Sequence, residues 1–430
     1  MYIVINSINY SEIKNLSFAP QTDIVGDAIP INELLVDIMT DDSVSVDQYV
    51  YLYDDMNNLW AKYWIIFAER IDEYTVRVRG QSQLKWLERD MLDAVMYTAK
   101  SVPTLISELF SSAGSGSYLL DPSFSAETIT GFCPKQSAKE RLQWVCFCIG
   151  AYVKSYFSDK IEILPIDDTV TSVPLNKTYW KPSIVYRDYI TAINIVGYTF
   201  TQGTPENTEE WVSDGTNYYI VTKQNYQLSN PNVPQGVPTN EITFDGVYLV
   251  NADNVSDILT HLSTFYFNRV GLEAEVINNF EYEPAQRVEM YTGDLDIATG
   301  YIESCDFTFG LQAKSKVKLS PVDVVETTNL IITYLYGSKI LGKARYNFPF
   351  SYVYTIENPY LDIMYGKHRY VYRPLAESAQ GTIVAGTNTD SEAYDVALHL
   401  YRETGVLEIL SVTDVDSETE SESVEVVVIG

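Results

Sequence analysis

Cysteine is scarce. Cys133, Cys146, Cys148 and Cys305 are the only four in 430 residues, too few for a disulfide framework, and no Cys-x-x-Cys pair suggests zinc. A reducing site of synthesis fits that count. Histidine is scarcer still, with His261, His368 and His399 far apart and no His-Glu-x-x-His spacing. Positive charge is also short: 29 Lys and Arg stand against 58 Asp and Glu, a net of -29. That balance disfavours binding to a phosphate backbone or an anionic membrane surface. The longest apolar run, Trp144 to Val153, is about half the roughly 20 residues a membrane helix needs. The opening segment Met1 to Ser7 has no basic stretch and reads as a strand, so neither a signal peptide nor a membrane anchor is expected.

Recognisable catalytic motifs are missing as well. There is no Gly-x-Ser-x-Gly and no P-loop, and Gly114-Ser115-Gly116 lacks the preceding strand and third glycine of a dinucleotide fingerprint. Cys146 and Cys148 lie in an apolar helical stretch that buries them, raises their pKa and leaves them inert. His261 reads as a structural or surface residue of a helix, His368 as a turn or strand-edge residue, and His399 as a packing residue. Carboxylates are many, but nothing singles out a glycosidase-like pair. The expectation is no enzyme, no cofactor and no metal site.

What is present is globular composition, 46% apolar and 20% charged, with 22 Gly and 17 Pro. At roughly 100 to 200 residues per domain the chain holds three or four domains. Tyrosine is abundant, 34 residues beside 16 Phe and 6 Trp, which favours β structure and large contact surfaces. Up to about residue 80 the pattern is strand and turn: Tyr49 to Tyr53, a turn at Asp54 to Asn58, Trp60 to Ala68, and Tyr74 to Arg79 stopped by Gly80. The period then becomes helical through Leu84, Leu87, Met91 and Val95. A second helix opens at Ser101 with Pro103 in its first turn. A third starts at Ser137-Ala138-Lys139-Glu140, a capping box, with an apolar body from Leu142 to Val153. The strand Lys160 to Leu164 follows, so this region is α+β.

Strand signals return in Tyr186 to Phe200, Trp211-Val212, Tyr218 to Val221 and Tyr248 to Val250, separated by Gly, Pro and Asn turns. A helix near Asp253 places Val255, Ile258, Leu259, Leu262, Phe265 and Tyr266 on one face. Strands resume from Leu272 to Leu319, where Lys314, Lys316 and Lys318 read as the outer face of one strand. Phe67-Ala68-Glu69-Arg70-Ile71-Asp72 is echoed by Tyr301-Ile302-Glu303-Ser304-Cys305-Asp306, each followed by an alternating strand, as two copies of one β-module would be. Beyond Pro321 the chain is β-rich and dense in Tyr, starting with Asn329 to Tyr336, with a helical stretch at Glu392 to Arg402. An acidic connector, Asp414 to Glu422, precedes Val424-Glu425-Val426-Val427-Val428-Ile429. Val424, Val426 and Val428 fall on one face of that strand, and Val427 and Ile429 share the other. Both faces are mostly apolar, so the strand needs cover. It either closes the sheet of its own domain or adds to a neighbouring subunit or spike as an assembly strand.

The stretch Phe132 to Ile163, with Ser137 to Gln143 opening its helix, Ile149 to Val153 closing it and Ser158 to Ile163 after it, resembles the baseplate hub proteins of phage tails and tail-like particles, the late-control-D-type tail hub family. Asn251 to Arg269, Thr299 to Ser304 and Ala313 to Val317 are similar to a later part of that family, and the resemblance covers roughly residues 1 to 320. It implies a mainly β fold with an α+β insertion: a tube-like antiparallel β-barrel in 1–85, an α+β domain in 86–178 with 250–272, and a second barrel in 179–249 with 273–321. Residues 322–430 form a β-rich C-terminal domain beyond the shared pattern. The resemblance further implies a homotrimer between the six-fold tail tube, or a tube initiator, and the central spike. Other baseplate proteins would surround it, and DNA or cargo would cross its channel only in transit. Such a protein is assembled in the bacterial cytoplasm and then joins the tail. The alternative is a tail-tip or surface adhesin whose Tyr-rich C-terminal region binds a cell-envelope glycan.

Overall fold

The computed structural model describes residues 1–325 apart from 27, 90, 113–116, 175–176, 205, 207–209, 279–280, 293–296 and 310–313. Beyond 325 it describes the strand backbones 361–365, 368–374, 382–387, 394–399, 407–414, 420–421 and 424–429. The chain divides into two compact units, residues 1–293 with 298–324, and 294–297 with 325–430.

The first unit is built on a thirteen-stranded sheet. Its strands are β1 (Tyr2–Ile5), β2 (Ile8–Tyr10), β3 (Ile13–Phe18), β4 (Glu33–Met39), β5 (Tyr49–Tyr53), β6 (Leu59–Asp72) and β7 (Thr75–Gln81), then β8 (Val170–Ser172), β9 (Thr178–Tyr186), β10 (Val270–Ile277), β11 (Arg287–Tyr291), β12 (Ile297–Thr308) and β13 (Lys314–Val325). They lie in the order β9-β10-β13-β12-β3-β4-β7-β6-β5-β1-β2, with β11 on β12 and β8 on β11. The expected strand alternation is visible at β5, where Val50 and Leu52 are buried between half-exposed tyrosines. The turn after β5 is made by the Asp54 carboxylate, which accepts from the backbone of Met56 at 2.8 Å and of Asn58 at 2.7 Å.

Two five-strand sets within this sheet share one topology. The first is β3, β4, β5, β6, β7, arranged β5-β6-β7-β4-β3; the second is β9, β10, β11, β12, β13, arranged β11-β12-β13-β10-β9. In each set the third strand in sequence leads, followed by the fourth, fifth, second and first. The two echoed segments fall on the fourth strands, β6 and β12. The sets are joined where β3 meets β12, with Phe18 opposite Phe307 and a bridge from Gln21 to Ser304. One apolar core runs through both: Phe18, Val36, Tyr63 and Ile65 from the first set, Leu272, Ile302, Phe307 and Leu319 from the second.

A second core holds the helices α1 (Leu84–Arg89), α2 (Val102–Ser112), α3 (Ala138–Ile149) and α4 (Val255–Tyr266). Leu105 of α2, Leu142 and Val145 of α3 and Ile258 and Leu262 of α4 supply its centre. At the start of α3 the Ser137 hydroxyl accepts from the Glu140 amide at 3.2 Å, while the Ser137 amide donates to the Glu140 carboxylate at 2.9 Å. That is the capping box the sequence announced. Among the described residues no helix is long and apolar enough to cross a membrane.

Several expected elements differ. The helix expected through Met91 and Val95 stops at Arg89, and Val95–Ser101 forms a strand against Thr128–Cys133. Val95 and Tyr97 are β-favouring residues, and in that strand Tyr97 is buried. The α3 body ends at Ile149 because Gly150 turns left-handed at φ 65°, and Ala151–Lys154 continues as a strand. Tyr248 to Val250 is a turn. Of the stretch 179–249 expected in a second barrel, β9 alone joins the large sheet. Ala192–Gln202, Trp211–Ser213, Tyr218–Ser229 and Glu241–Phe244 form a separate four-stranded sheet. Its Ile193, Ile195 and Phe244 find apolar cover in the helical core.

In the second unit, Leu361–Tyr365, His368–Pro374, Leu407–Asp414 and Glu420–Ser421 form one sheet, and Tyr394–His399, Thr382–Thr387 and Val424–Ile429 another. The expected helix Glu392 to Arg402 is therefore corrected at 394–399, where the backbone pairs with Thr382–Thr387. Alternation in Tyr394-Asp395-Val396-Ala397-Leu398 suits a strand as well as a helix, and cross-strand pairing decides. Asn329 to Tyr336 and the rest of 326–360 lie outside the described residues.

Two glycines separate backbone strain from lack of space. At Gly150 a Cβ would find the His261 ring 3.7 Å away, an ordinary contact, so Gly150→Ala meets only the left-handed conformation, which costs about 1 kcal/mol. At Gly131, φ 140°, a Cβ would lie 2.4 Å from the Tyr248 carbonyl oxygen, so the 247–250 turn must move. Urea unfolding is expected to show Gly131→Ala as clearly the more damaging of the two.

Candidate assembly surfaces

The outer face of each five-strand set carries the same arrangement of charge. In the first set Asp37 and Glu33 of β4 each grip an arginine of β7. The Arg77 guanidinium reaches Asp37 at 2.7 and 2.8 Å, and that of Arg79 reaches Glu33 at 2.8 and 2.6 Å. Glu69 of β6 is registered opposite Arg77 from the other side. Hydrogen bonding from Arg77 holds the Asp37 carboxyl below its usual range. Burial opposes ionisation of Glu33, but hydrogen bonds from Gln81 and Arg79 outweigh it. In the second set Glu273 and Glu275 of β10 are registered opposite Lys318 and Lys316 of β13. Lys316 lies 3.5 Å from Glu273, and Lys318 lies 3.4 Å from Glu303 of β12. In both sets a basic fifth strand runs beside an acidic second strand, and a glutamate of the fourth strand, Glu69 or Glu303, faces it from the other side. The echoed glutamates, Glu69 and Glu303, occupy that fourth strand. The lysine run is an outer strand face, with Val317 buried between exposed Lys316 and Lys318.

The residues weighed for chemistry are dispersed. His261 sits in α4 beside the Ile24 carbonyl, with Nε2 at 3.3 Å, and burial lowers its pKa. His368 opens one strand of the second unit opposite Tyr365, and His399 ends another opposite Thr382. Cys133, Cys146, Cys148 and Cys305 are all buried free thiols. Burial pushes Cys133 and Cys146 up to about 12, and raises Cys148 and Cys305 as well. All four are protonated near neutrality. Among the described residues no group of three or more His, Cys, Asp or Glu is placed to hold a metal.

Sequence reading did not find an open groove of about 630 Å³ lined by Tyr189, Arg269, Asp168, Arg287 and Tyr301. Arg269 lies over the rings of Tyr186 and Tyr189 at 5.0 and 4.4 Å, and Arg287 over Tyr301 at 5.7 Å. Asp168 accepts the Tyr301 hydroxyl and faces Arg287 at 3.8 Å. Its carboxylate is engaged, and the groove is a polar surface with cationic edges. The assembly strand proposed from sequence, Val424, Val426, Val427, Val428 and Ile429, pairs antiparallel with Thr382–Thr387, from Thr387↔Val424 to Thr382↔Ile429. Among the described residues it is an end strand of its three-stranded sheet.

Set against solved structures, this architecture has clear likenesses. The tail protein from Neisseria meningitidis MC58 matches with a TM-score of 0.52 at 8% identity, over 74% of this chain and 95% of that one. The 43 kDa tail protein of prophage MuSo2 from Shewanella oneidensis matches with 0.52 at 8% identity, over 74% and 96%. The prophage tail protein gp18 from Listeria monocytogenes EGD-e matches with 0.50 at 12% identity, over 75% and 94%. The chain shares the fold of these tail proteins. No protein-family model matches it, and no curated protein does.

Two measurements follow from the buried groups. The native chain is expected to resist a thiol reagent near neutral pH and to yield all four cysteines once unfolded in urea. His261 binds its proton less tightly folded than unfolded. Its contribution to stability is therefore complete above about pH 6.5 and declines as pH falls through and below that value. His261→Gln is expected to flatten that part of the dependence of the urea midpoint on pH.

Proposed function

We propose that this chain is a structural baseplate hub of a phage tail or tail-like particle, a homotrimer that joins the tail tube or its initiator to the central spike and leaves a channel for DNA or cargo. The observation that carries this reading is the duplicated strand order within one sheet, on a fold shared with phage tail proteins. Each five-strand set stands for one tube-like barrel. Three chains then offer six like modules to a six-fold tube while keeping three-fold symmetry for a spike. The second unit is the attachment region for the spike or other baseplate proteins, and Val424–Ile429 supplies an end strand to which a neighbour can add. The assembled hub belongs to the tail of the particle, after synthesis in the bacterial cytoplasm.

Reconstruction of the particle tests this directly. Three copies between tube and spike are expected. Copies at the outer periphery, touching the cell envelope and not the tube, would make the chain an adhesin and overturn the proposal. Removing residues 423–430 is expected to weaken attachment to the spike or neighbour while residues 1–325 stay folded, read by limited proteolysis.

A further inference from the structure

We infer that the helical region carries a binding site for a small organic carboxylate, in an open cavity between α2, α3 and the strand Val95–Ser101, where Arg141 and Tyr97 hold the carboxylate and an apolar wall covers its hydrocarbon body.

The cavity measures about 420 Å³, within the range of small-ligand sites. Arg141 reaches it from α3, Tyr97 from the strand and Leu109 from α2, while Leu92, Val95 and Met96 add to the apolar wall. The guanidinium decides what the cavity can take. Arg141 is 4% exposed, and a cation buried that deeply ordinarily faces a carboxylate. Its described partners are all neutral: Nη1 donates to the Tyr97 hydroxyl at 3.2 Å, and Nη2 to the carbonyls of Leu92, Asp93 and Pro134 at 3.5, 2.8 and 3.2 Å. Nε is buried with no acceptor among the described residues.

Neighbouring charges leave this one unanswered. Lys100 and Glu108 neutralise each other at 2.6 Å, and the exposed Asp93 gives Arg141 its backbone carbonyl. Burial pushes the Cys133 thiol up to about 12 although Arg141 acts to lower it, so the thiol is neutral. One positive charge remains. Tyr97, 8% exposed, spends a lone pair on Arg141, and among the described residues nothing accepts its own proton. Burial raises the pKa of that hydroxyl, so the proton stays in place as a donor.

Fastening the chain at 92–93 and 134 uses Nη2 alone. The second N–H of Nη1 and the Tyr97 O–H are left as two adjacent donors, and the two oxygens of one carboxylate accept from both. Its single negative charge matches the single unanswered cation. Phosphate brings more negative charge than one guanidinium answers, beside Glu108 and Asp93. The half-buried Val95 and Met96 gain cover from a short hydrocarbon body. The site does not depend on the hub reading, so the particle reconstruction and a binding measurement can fail separately.

Equilibrium dialysis of the full chain against radiolabelled hexanoate tests the inference, with hexanamide and inorganic phosphate as competitors at matched ionic strength. One hexanoate per chain is expected, with a dissociation constant on the order of millimolar or tighter, displaced by excess benzoate and left in place by hexanamide or phosphate. Tyr97→Phe keeps the ring and removes the O–H; it is expected to weaken binding about tenfold while circular dichroism stays native. Arg141→Gln is expected to abolish binding. If Arg141→Gln fails to fold, Tyr97→Phe and the competition still decide. No saturable binding to the native chain, displacement by hexanamide or phosphate as effective as by benzoate, or unchanged binding in folded Tyr97→Phe would each overturn the inference.

Discussion

Phe18 and Phe307 stand almost 290 residues apart in sequence, and residues 1–325 close around their contact. The Phe18 ring lies 5.9 Å from that of Phe307, 6.0 Å from Phe157 and 6.2 Å from Tyr63. It therefore meets the second strand set, the loop after the helical region and the centre of the first set at once. Without it, β3 and β12 would each present an unpaired edge. The helical region is fastened near the same place. Phe157 donates its amide to Trp60 at 2.8 Å, Thr22 donates its hydroxyl to Val153 at 3.0 Å, and Asn32 bonds Ser155 at 3.0 Å. Thr22 and Asn32 thus tie the stretch after β3 to residues 153–155, which follow α3.

Much of this was legible locally. The capping box at Ser137 and Glu140, the proline-led α2, the apolar face of α4 and the alternation of β5 to β7 follow from side-chain chemistry within a few residues, and the structure contains each of them. The failures occurred where partners remote in sequence decide. Met91 and Val95 read as helix by spacing, but a strand at 128–133 was waiting for Val95. The segments 192–200, 211–212 and 218–221 read as strands, which they are, yet no local signal says which core their apolar side faces. The six-residue echo was faint because the repeat is conserved in connection and in charge sign, with Arg77 in one set answered by lysine in the other. The groove around Arg269 and Arg287 assembles residues from 168 to 323, and no short motif could have announced it.

The charge pattern also explains how so acidic a chain tolerates its own repulsion. A net of -29 works against compactness. Placing the cations of β7 and β13 opposite carboxylates of the strands beside them converts like-charge neighbours into attractive cross-strand pairs, each worth roughly 0.2 to 1 kcal/mol. In both sets the carboxylates that answer the fifth strand come from the same set's second and fourth strands.

The long reach between β3 and β12 also sets a timetable. Strand pairing of such separation forms late and slowly. A ribosome that has made Phe18 must still make almost 290 residues before Phe307 exists. At roughly 5 to 20 residues per second, that interval is on the order of tens of seconds. Throughout it the nascent chain carries a bare β3 edge and an apolar ring seeking cover, close to other copies on the same message. The cell, and not only the sequence, must then keep the first half of the sheet from finding the wrong second half.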